Sequence, residues 1–460
     1  MDWSLLFSSY GSVFTNLQVI MMTFLGALGG VLLGDIPGMT ATMGVALLIP
    51  FSFGMDLIPS VGLLLGIYCG GMYGGSISAI LIHAPGTPSA AATLLDGYPM
   101  CQKGQAGKAL SIAMFSSFCG GVIGALVMTF LSPTVAKVAM KFTSAEMLML
   151  AVFGLSVIVA ISGKSIAKGL VSAFFGMLLC TVGLDPTNGI PRFITYKQTG
   201  LLEGFQFIPT LIGLFAVTEV FKQTDPKKKR LSAEDGISGG KVSTKMPSFK
   251  EIWSIKWTML RCSVIGTIVG ILPGAGATIA SFMCYTMETK LSKHPEKFGT
   301  GIIDGIAASE ASNNAATGGA MVPLLSLGIP GGNAAAVMMS ALTLKGVQLG
   351  PLLLTNQPTY LSATFMSMIV TNILMVIVAM AIAKVFAQIL AIPYSYLGPI
   401  ILMLALIGTY GDQMSATSVQ IMVLAGVLGL IVRAGHLNSA AIVLGLVLGN
   451  MCEQNFSRGY

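Results

Sequence analysis

"LLSLGIPGGNAAAV", residues 324–337, runs Gly, Ile, Pro, Gly, Gly and Asn through an otherwise apolar stretch. Proline removes a backbone donor and glycine weakens a helix, so this hexad interrupts a helix instead of continuing it. "LIHAPGTPSAAA" at 81–92 has nearly the same shape. The surroundings make the interruption costly. Of 460 residues, 54% are hydrophobic and 9% charged, with a mean hydropathy of +0.82. A soluble domain carries about 25% charged residues. A helix crosses a bilayer with roughly 20 mainly apolar residues, and runs such as 147–161 and 365–383 approach that length. They do not alternate apolar with polar positions, as barrel strands do. The expected fold is an all-α polytopic membrane protein of about 10–14 membrane segments, some of them incomplete. The first apolar run, near 17–33, follows no Lys or Arg and is expected to be a retained helix, not a cleaved signal.

The chain repeats itself. "GDIPGMTATMGVALLIP" (34–50) and "GGSISAILIHAPGTPSAAA" (74–92) are followed by "GILPGAGATIASFMCY" (270–285) and "GGAMVPLLSLGIPGGNAAA" (318–336). Pro37 and Pro273 differ by 236 positions, Pro85 and Pro330 by 245. This divides the chain into a first transmembrane half, 1–221, a basic linker, 222–257, and a second transmembrane half, 258–460. Irregular backbone survives in a bilayer only where protein or a water-filled cavity surrounds it. Interrupted segments at matching positions of two halves are the sequence pointer to a transporter binding site, as in inverted-repeat carriers. Each half is therefore expected to carry broken or re-entrant Pro-Gly hairpins.

A helix that starts after a break offers unpaired N–H groups and a positive dipole end, which suit an anion. On that logic Gly86, Thr87, Gly331, Gly332 and Asn333 are candidates for holding a carboxylate, with Gly38 and Thr40 at the companion break. Gly274, Gly276 and Thr278 form the fourth break. The alternative is that Pro-Gly only kinks helices and the glycines pack them. "DGIAASEASNNAATGGA" (304–320) is unusually polar for its setting. Asn313 and Asn314 supply amide oxygens that suit a hard cation such as sodium, unless they only tie helices together. With Gly274, Gly276 and Thr278 they make up the candidate cation set. Asp304 and Glu310 are read as membrane-edge charges ahead of buried carboxylates of a coupling site. His83, just before Pro85, is either an anion or proton contact or a structural histidine; His294 and His436 are read as peripheral.

Other classes fall away. The net charge of +7 does not indicate nucleic acid, because ten of the 25 basic residues lie between Lys222 and Arg261. Such clustering marks a cytoplasmic loop. Seven scattered Cys without a CxxC pair indicate neither disulfide nor zinc. "ISGKS" (161–165) lacks the first glycine of a phosphate loop, and "GAGATI" (274–279) the third glycine of a dinucleotide fingerprint. No hydrolytic constellation emerges, so the chain is not expected to be an enzyme or to need a cofactor.

Residues 73–110, including "YGGSISAILIHAPGTPSAAATLLDGYP", and residues 266–332 closely resemble the TctA family, the large membrane subunits of tripartite tricarboxylate transporters. The matching motifs are Pro37-Gly38, Ala84 to Thr87, Leu272 to Thr278, Asn313-Asn314 and Gly328 to Gly332. The resemblance implies a secondary transporter in a bacterial inner membrane, importing di- or tricarboxylates by symport with a coupling ion, Na+ or H+. It also implies two partners: a small TctB-like membrane subunit and a periplasmic TctC-like solute-binding protein. Ala308, Ser309, Glu310 and Ala311 depart from the family's Ala-Pro-Glu-Ala, and His83 stands where Asn is frequent. A channel or pore-forming subunit for small anions is the alternative, since selectivity filters also use irregular backbone.

Overall fold

The computed structural model describes residues 11, 13–36, 39–161, 165–185, 188–194, 199–223, 247–274, 276–382 and 394–459. Pro37, Gly38, Ala275 and most of the expected linker therefore lie outside the described residues.

The described residues are mostly helical. The first half holds α1 (Leu17–Asp35), α2 (Ala41–Ser52), α3 (Leu57–Ile82), α4 (Ala90–Gln102), α5 (Ala106–Ala139), α6 (Ser144–Ile161) and α7 (Ile166–Cys180). A two-residue antiparallel pairing follows, Gly183 opposite Arg192. Next comes α8 (Phe207–Ile212), which passes through a π turn at Gly213–Val217 into α9 (Thr218–Gln223). The second half has α10 (Phe249–Ser254), α11 (Lys256–Ile271), α12 (Gly276–Leu291), α13 (Ile303–Leu327) and α14 (Asn333–Leu344). It ends with α15 (Leu353–Asn356), α16 (Pro358–Ile382), α17 (Tyr394–Gln413), α18 (Ala416–Ala434) and α19 (Ser439–Gly459).

Among the described residues, five helices are long and apolar enough to cross a membrane: α1, α3, α5, α16 and α18. An expectation based on apolar length counts more, because the breaks divide apolar runs into pieces of 12 to 16 residues, namely α2, α4, α12 and α14. Two helices form the centre. α3 is buried from Pro59 to Ile82 and α13 from Gly305 to Ser326. A helix buried on all sides has no polar face to show water, which suits α3. The polar residues of α13 instead find partners on neighbouring helices.

Small residues bring these central helices within backbone contact of α1 and α11. A methyl group added at Gly30 would stand 2.6 Å from the Ile67 carbonyl oxygen, and one at Gly266 2.5 Å from that of Ser312. Gly34 meets the Gly71 carbonyl in the same way at 2.4 Å, and Gly270 that of Ala316 at 2.5 Å. Gly74 against Val31 (2.4 Å) is matched by Gly319 against Thr267 (2.2 Å). In every pair the α1 and α11 residues differ by 236 positions and the α3 and α13 residues by 245, the offsets read from the two sets of prolines. The halves also interleave: Gly120 of α5 packs on Ala311 of α13, and Asn313 donates from Nδ2 to the Met72 carbonyl at 3.2 Å.

The short α10 carries a capping box between Ser248 and Glu251. It exposes Phe249 and Trp253, and Lys256 Nζ lies 4.0 Å over the Trp253 ring. Aromatic and basic side chains together mark a membrane–water boundary.

Candidate functional site

The breaks are held by their own backbone. The Gly86 amide donates to the Gly75 carbonyl at 3.0 Å, and the Gly331 amide to the Ala320 carbonyl at 3.4 Å. A side chain on Gly86 would strike the Gly34 carbonyl at 1.9 Å; one on Gly331 would meet the Gly270 carbonyl at 2.6 Å. Both glycines are thus required by close approach to a neighbouring helix. The Gly274 amide donates to the Gly331 carbonyl at 3.1 Å, joining the two breaks of the second half.

These breaks open onto one cavity of about 750 Å³, within the roughly 300–1,000 Å³ range of small-molecule sites. Four helices begin at its wall. Thr40 caps α2, accepting from the Met43 amide at 3.3 Å, and Thr87 and Ser89 precede α4 with their hydroxyls 3.2 Å apart. Gly276 opens α12, and Gly332 and Asn333 open α14. Gly276 has φ +60° and open space where a side chain would project. Each start contributes unpaired N–H groups and a positive dipole end.

The opposite wall comes from elements that the motifs did not indicate. Arg433 at the end of α18, His436 and Asn438 in the following turn and Ser439 at the start of α19 line the cavity, with Leu214, Phe215 and Thr218 from the π turn and α9. π turns are frequent at functional sites. Here the Gly213 carbonyl accepts from both the amide and the hydroxyl of Thr218 (the hydroxyl at 3.0 Å), and that hydroxyl also reaches the Gly426 carbonyl of α18 at 3.1 Å. Among the described residues the lining contains no Asp or Glu and one Arg. Helix N-termini and a guanidinium favour negative charge.

The candidate residues divide accordingly. Thr40, Gly86, Thr87, Gly332 and Asn333 share the cavity with Gly274, Gly276 and Thr278. Gly331 sits behind them, packed on α11 and α13, and Gly38 lies outside the described residues. Asn313 and Asn314 are fully buried on α13 away from the cavity wall, so the candidate cation set is not gathered in one place. His83 ends α3 in the left-handed conformation (φ 57°), is exposed, and lies 4.5 Å from the Tyr98 ring instead of facing the cavity. His436 is not peripheral. It stands at the cavity wall because the turn carrying it folds back between two helices. His294 is exposed beside Glu296.

Glu310 is not an edge charge either: it is fully buried, and Ser76, Thr93 and Ser117 donate to it. Three hydroxyls from three helices replace the water it gives up. Asp304 keeps partial exposure beside Thr258, 3.3 Å away. Asp35, which the motif reading passed over, is buried at the end of α1, and neither of its carboxylate oxygens has a hydrogen-bond partner.

Residues 20–444 match the tripartite tricarboxylate transporter TctA family. The chain belongs to this family. An uncharacterised 52.8 kDa protein from the TAR-I ttuC' 3' region of Agrobacterium vitis is 38% identical over 440 residues, 95% of this chain and 86% of that protein. A second uncharacterised protein, from the TAR-II ttuC' 3' region of the same organism, is 37% identical over 193 residues, 42% of this chain and 80% of its own length. No solved structure matches significantly. TctA membership makes this chain the membrane subunit of a tricarboxylate transporter, and the cavity where its broken helices meet is the candidate path for the cargo.

Proposed function

We propose that the chain is the translocating subunit of a binding-protein-dependent secondary transporter that imports di- or tricarboxylates by cation symport, with sodium as the coupling ion. The observation that carries this reading is the convergence of four helix N-termini and Arg433 on a cavity whose lining, among the described residues, has no acidic residue. A ligand with two or more carboxylates would place one group at the helix starts and another at Arg433, whose guanidinium forms bidentate pairs with carboxylates. The small TctB-like subunit, the TctC-like binding protein, the inner-membrane location and an internal two-fold repeat belong to the same proposal.

Magnitudes favour symport. Moving a trianion inward against about 100 mV costs roughly 7 kcal/mol at 2.3 kcal/mol per charge. Binding energy cancels over a complete cycle, so it cannot drive accumulation. Three co-transported monovalent cations remove the electrical cost, and more would make the membrane potential favourable.

Uptake into proteoliposomes tests the proposal. The chain and its small partner subunit would be supplied with labelled di- and tricarboxylates, with and without the binding protein and an inward sodium gradient. Saturable uptake requiring both is the expected outcome. Uptake indifferent to both, or a plain ionic conductance, would replace the symporter by a pore.

A further inference from the structure

We infer that a sodium ion binds at Glu310, in the seam between α3, α4, α5 and α13, away from the carboxylate cavity. This inference rests on the cation-coupled reading above and gives the coupling ion a location.

Glu310 is completely buried in the middle of α13. Its Oε1 accepts from Ser76 of α3 and Thr93 of α4; its Oε2 accepts from Ser117 of α5 at 2.7 Å. All three hydroxyls can donate to the carboxylate at once, an arrangement that suits its ionised form. Among the described residues no Lys, Arg or His makes an ion pair with it. An ionised carboxylate in a bilayer without a compensating cation is strongly unfavourable.

The surroundings supply oxygen atoms. Each of the three hydroxyls that donates to Glu310 keeps lone pairs for a second partner, and Thr93 also reaches Ser309 Oγ at 3.0 Å. One turn along α13, Asn313 is pinned by its Nδ2 to the Met72 carbonyl, itself one turn along α3 from Ser76. That bond leaves Asn313 Oδ1 buried and without a partner. Carboxylate, hydroxyl and amide oxygens are the donor set of a hard cation, and a single negative charge balances a monovalent one. Of the other buried carboxylates, Asp96 is held by Tyr285 and two backbone amides, Glu288 pairs with Arg261, and Asp35 has no hydroxyl shell around its oxygens.

The full-length protein, purified in detergent without carboxylate, tests this directly. Its melting temperature would be followed as NaCl replaces choline chloride at constant ionic strength. The wild type should show a saturable upward shift that KCl does not reproduce. Thr93→Ala and Ser117→Ala should each raise the half-saturating sodium concentration about tenfold, as loss of a supporting partner does at metal sites. Glu310→Gln should abolish the shift. Because Glu310→Gln alone could fail to fold, the two hydroxyl variants decide independently. Arg433→Ala, at the carboxylate cavity and away from Glu310, should keep the wild-type sodium response. A wild type that shows no sodium shift, or shows it equally with potassium, overturns the site. So does a Glu310→Gln protein that still responds. Carboxylate binding measured on the same wild-type sample separates the two readings: if it persists without a sodium response, the cation site fails and the cavity stands.

Discussion

Arg433 and Gly332 both line the cavity, and each makes a separate prediction. Charged hydrogen bonds contribute about 1.5–3 kcal/mol, so Arg433→Ala should raise the KM for dicarboxylates by at least about tenfold, measured as uptake against substrate concentration. An unchanged KM would remove Arg433 from the ligand. Gly332 has an extended backbone (φ −172°), and a Cβ there would come no closer than 3.8 Å to Gly276. Gly332→Leu should therefore fold normally, narrow the site and suppress uptake. The contrast with Gly331 is instructive. Its neighbour's backbone stands where a side chain would go, so substitution there perturbs packing and says little about the ligand. Pro-Gly breaks made Thr40, Gly86, Thr87 and Asn333 legible, because helix interruption is encoded locally. Arg433 and His436 were not, since a polar turn between apolar runs looks the same whether it faces water or folds onto a cavity. The role of Glu310 was equally hidden. Nothing in "ASEASNN" says that three hydroxyls from distant segments will surround it.

Among the helices, the glycine-lined contact of α11 with α13 should be far less tolerant than its surface suggests. Overpacking a tight contact costs typically 1–3 kcal/mol. Gly270→Leu, which drives a side chain into the Ala316 carbonyl, should lower the melting temperature or the yield of folded protein. Gly29→Leu is the control, because its nearest neighbour is the end of the Leu48 side chain at 3.7 Å. Equal stability of the two variants would show that the backbone contact is dispensable. The repeated offsets made this packing partly legible, as small residues recurring every fourth position predict close helices. Which helices would meet was not legible.

Helix α10 offers a prediction of a different kind. The Lys108 side chain, helped by Ser248, pulls the Glu251 carboxyl down to about 2. A depressed acid contributes stability above its ordinary range and loses it as pH falls through the folded value. Attachment of Phe249–Ser254 to α5 should accordingly be constant between about pH 5 and 8, and Lys108→Ala should loosen it across that range. Amide exchange of residues 249–254 reports the difference; equal exchange in both proteins would discount the pair.

For the whole molecule, the interleaving of α13 with α3 and α5 means that neither half completes its own interior. Chains 1–223 and 247–460, expressed together, should assemble and co-purify, while 1–223 alone should be protease-sensitive. A stable, folded first half would contradict this. Among the described residues, five long spans also leave much of the interior to shorter pieces, so the cavity depends on how they meet and not on any single crossing. Apolar content made the membrane class legible from the outset. The arrangement around the cavity was beyond reach, because it joins residues from Thr40 to Ser439.

The π turn at Gly213–Val217 has one more consequence, a matter of phase. Such a turn is a helix holding one residue more than its regular ladder accommodates. Deleting a single residue there would let the ladder close with the flanking helices nearly in phase, whereas the same deletion inside regular helix would rotate everything beyond it by about 100°. Thr218 would keep its side towards the Gly426 carbonyl, and the wall of the cavity would keep its face. At this place the reading frame can lose a codon without turning the site, a tolerance that the regular helices around it do not share.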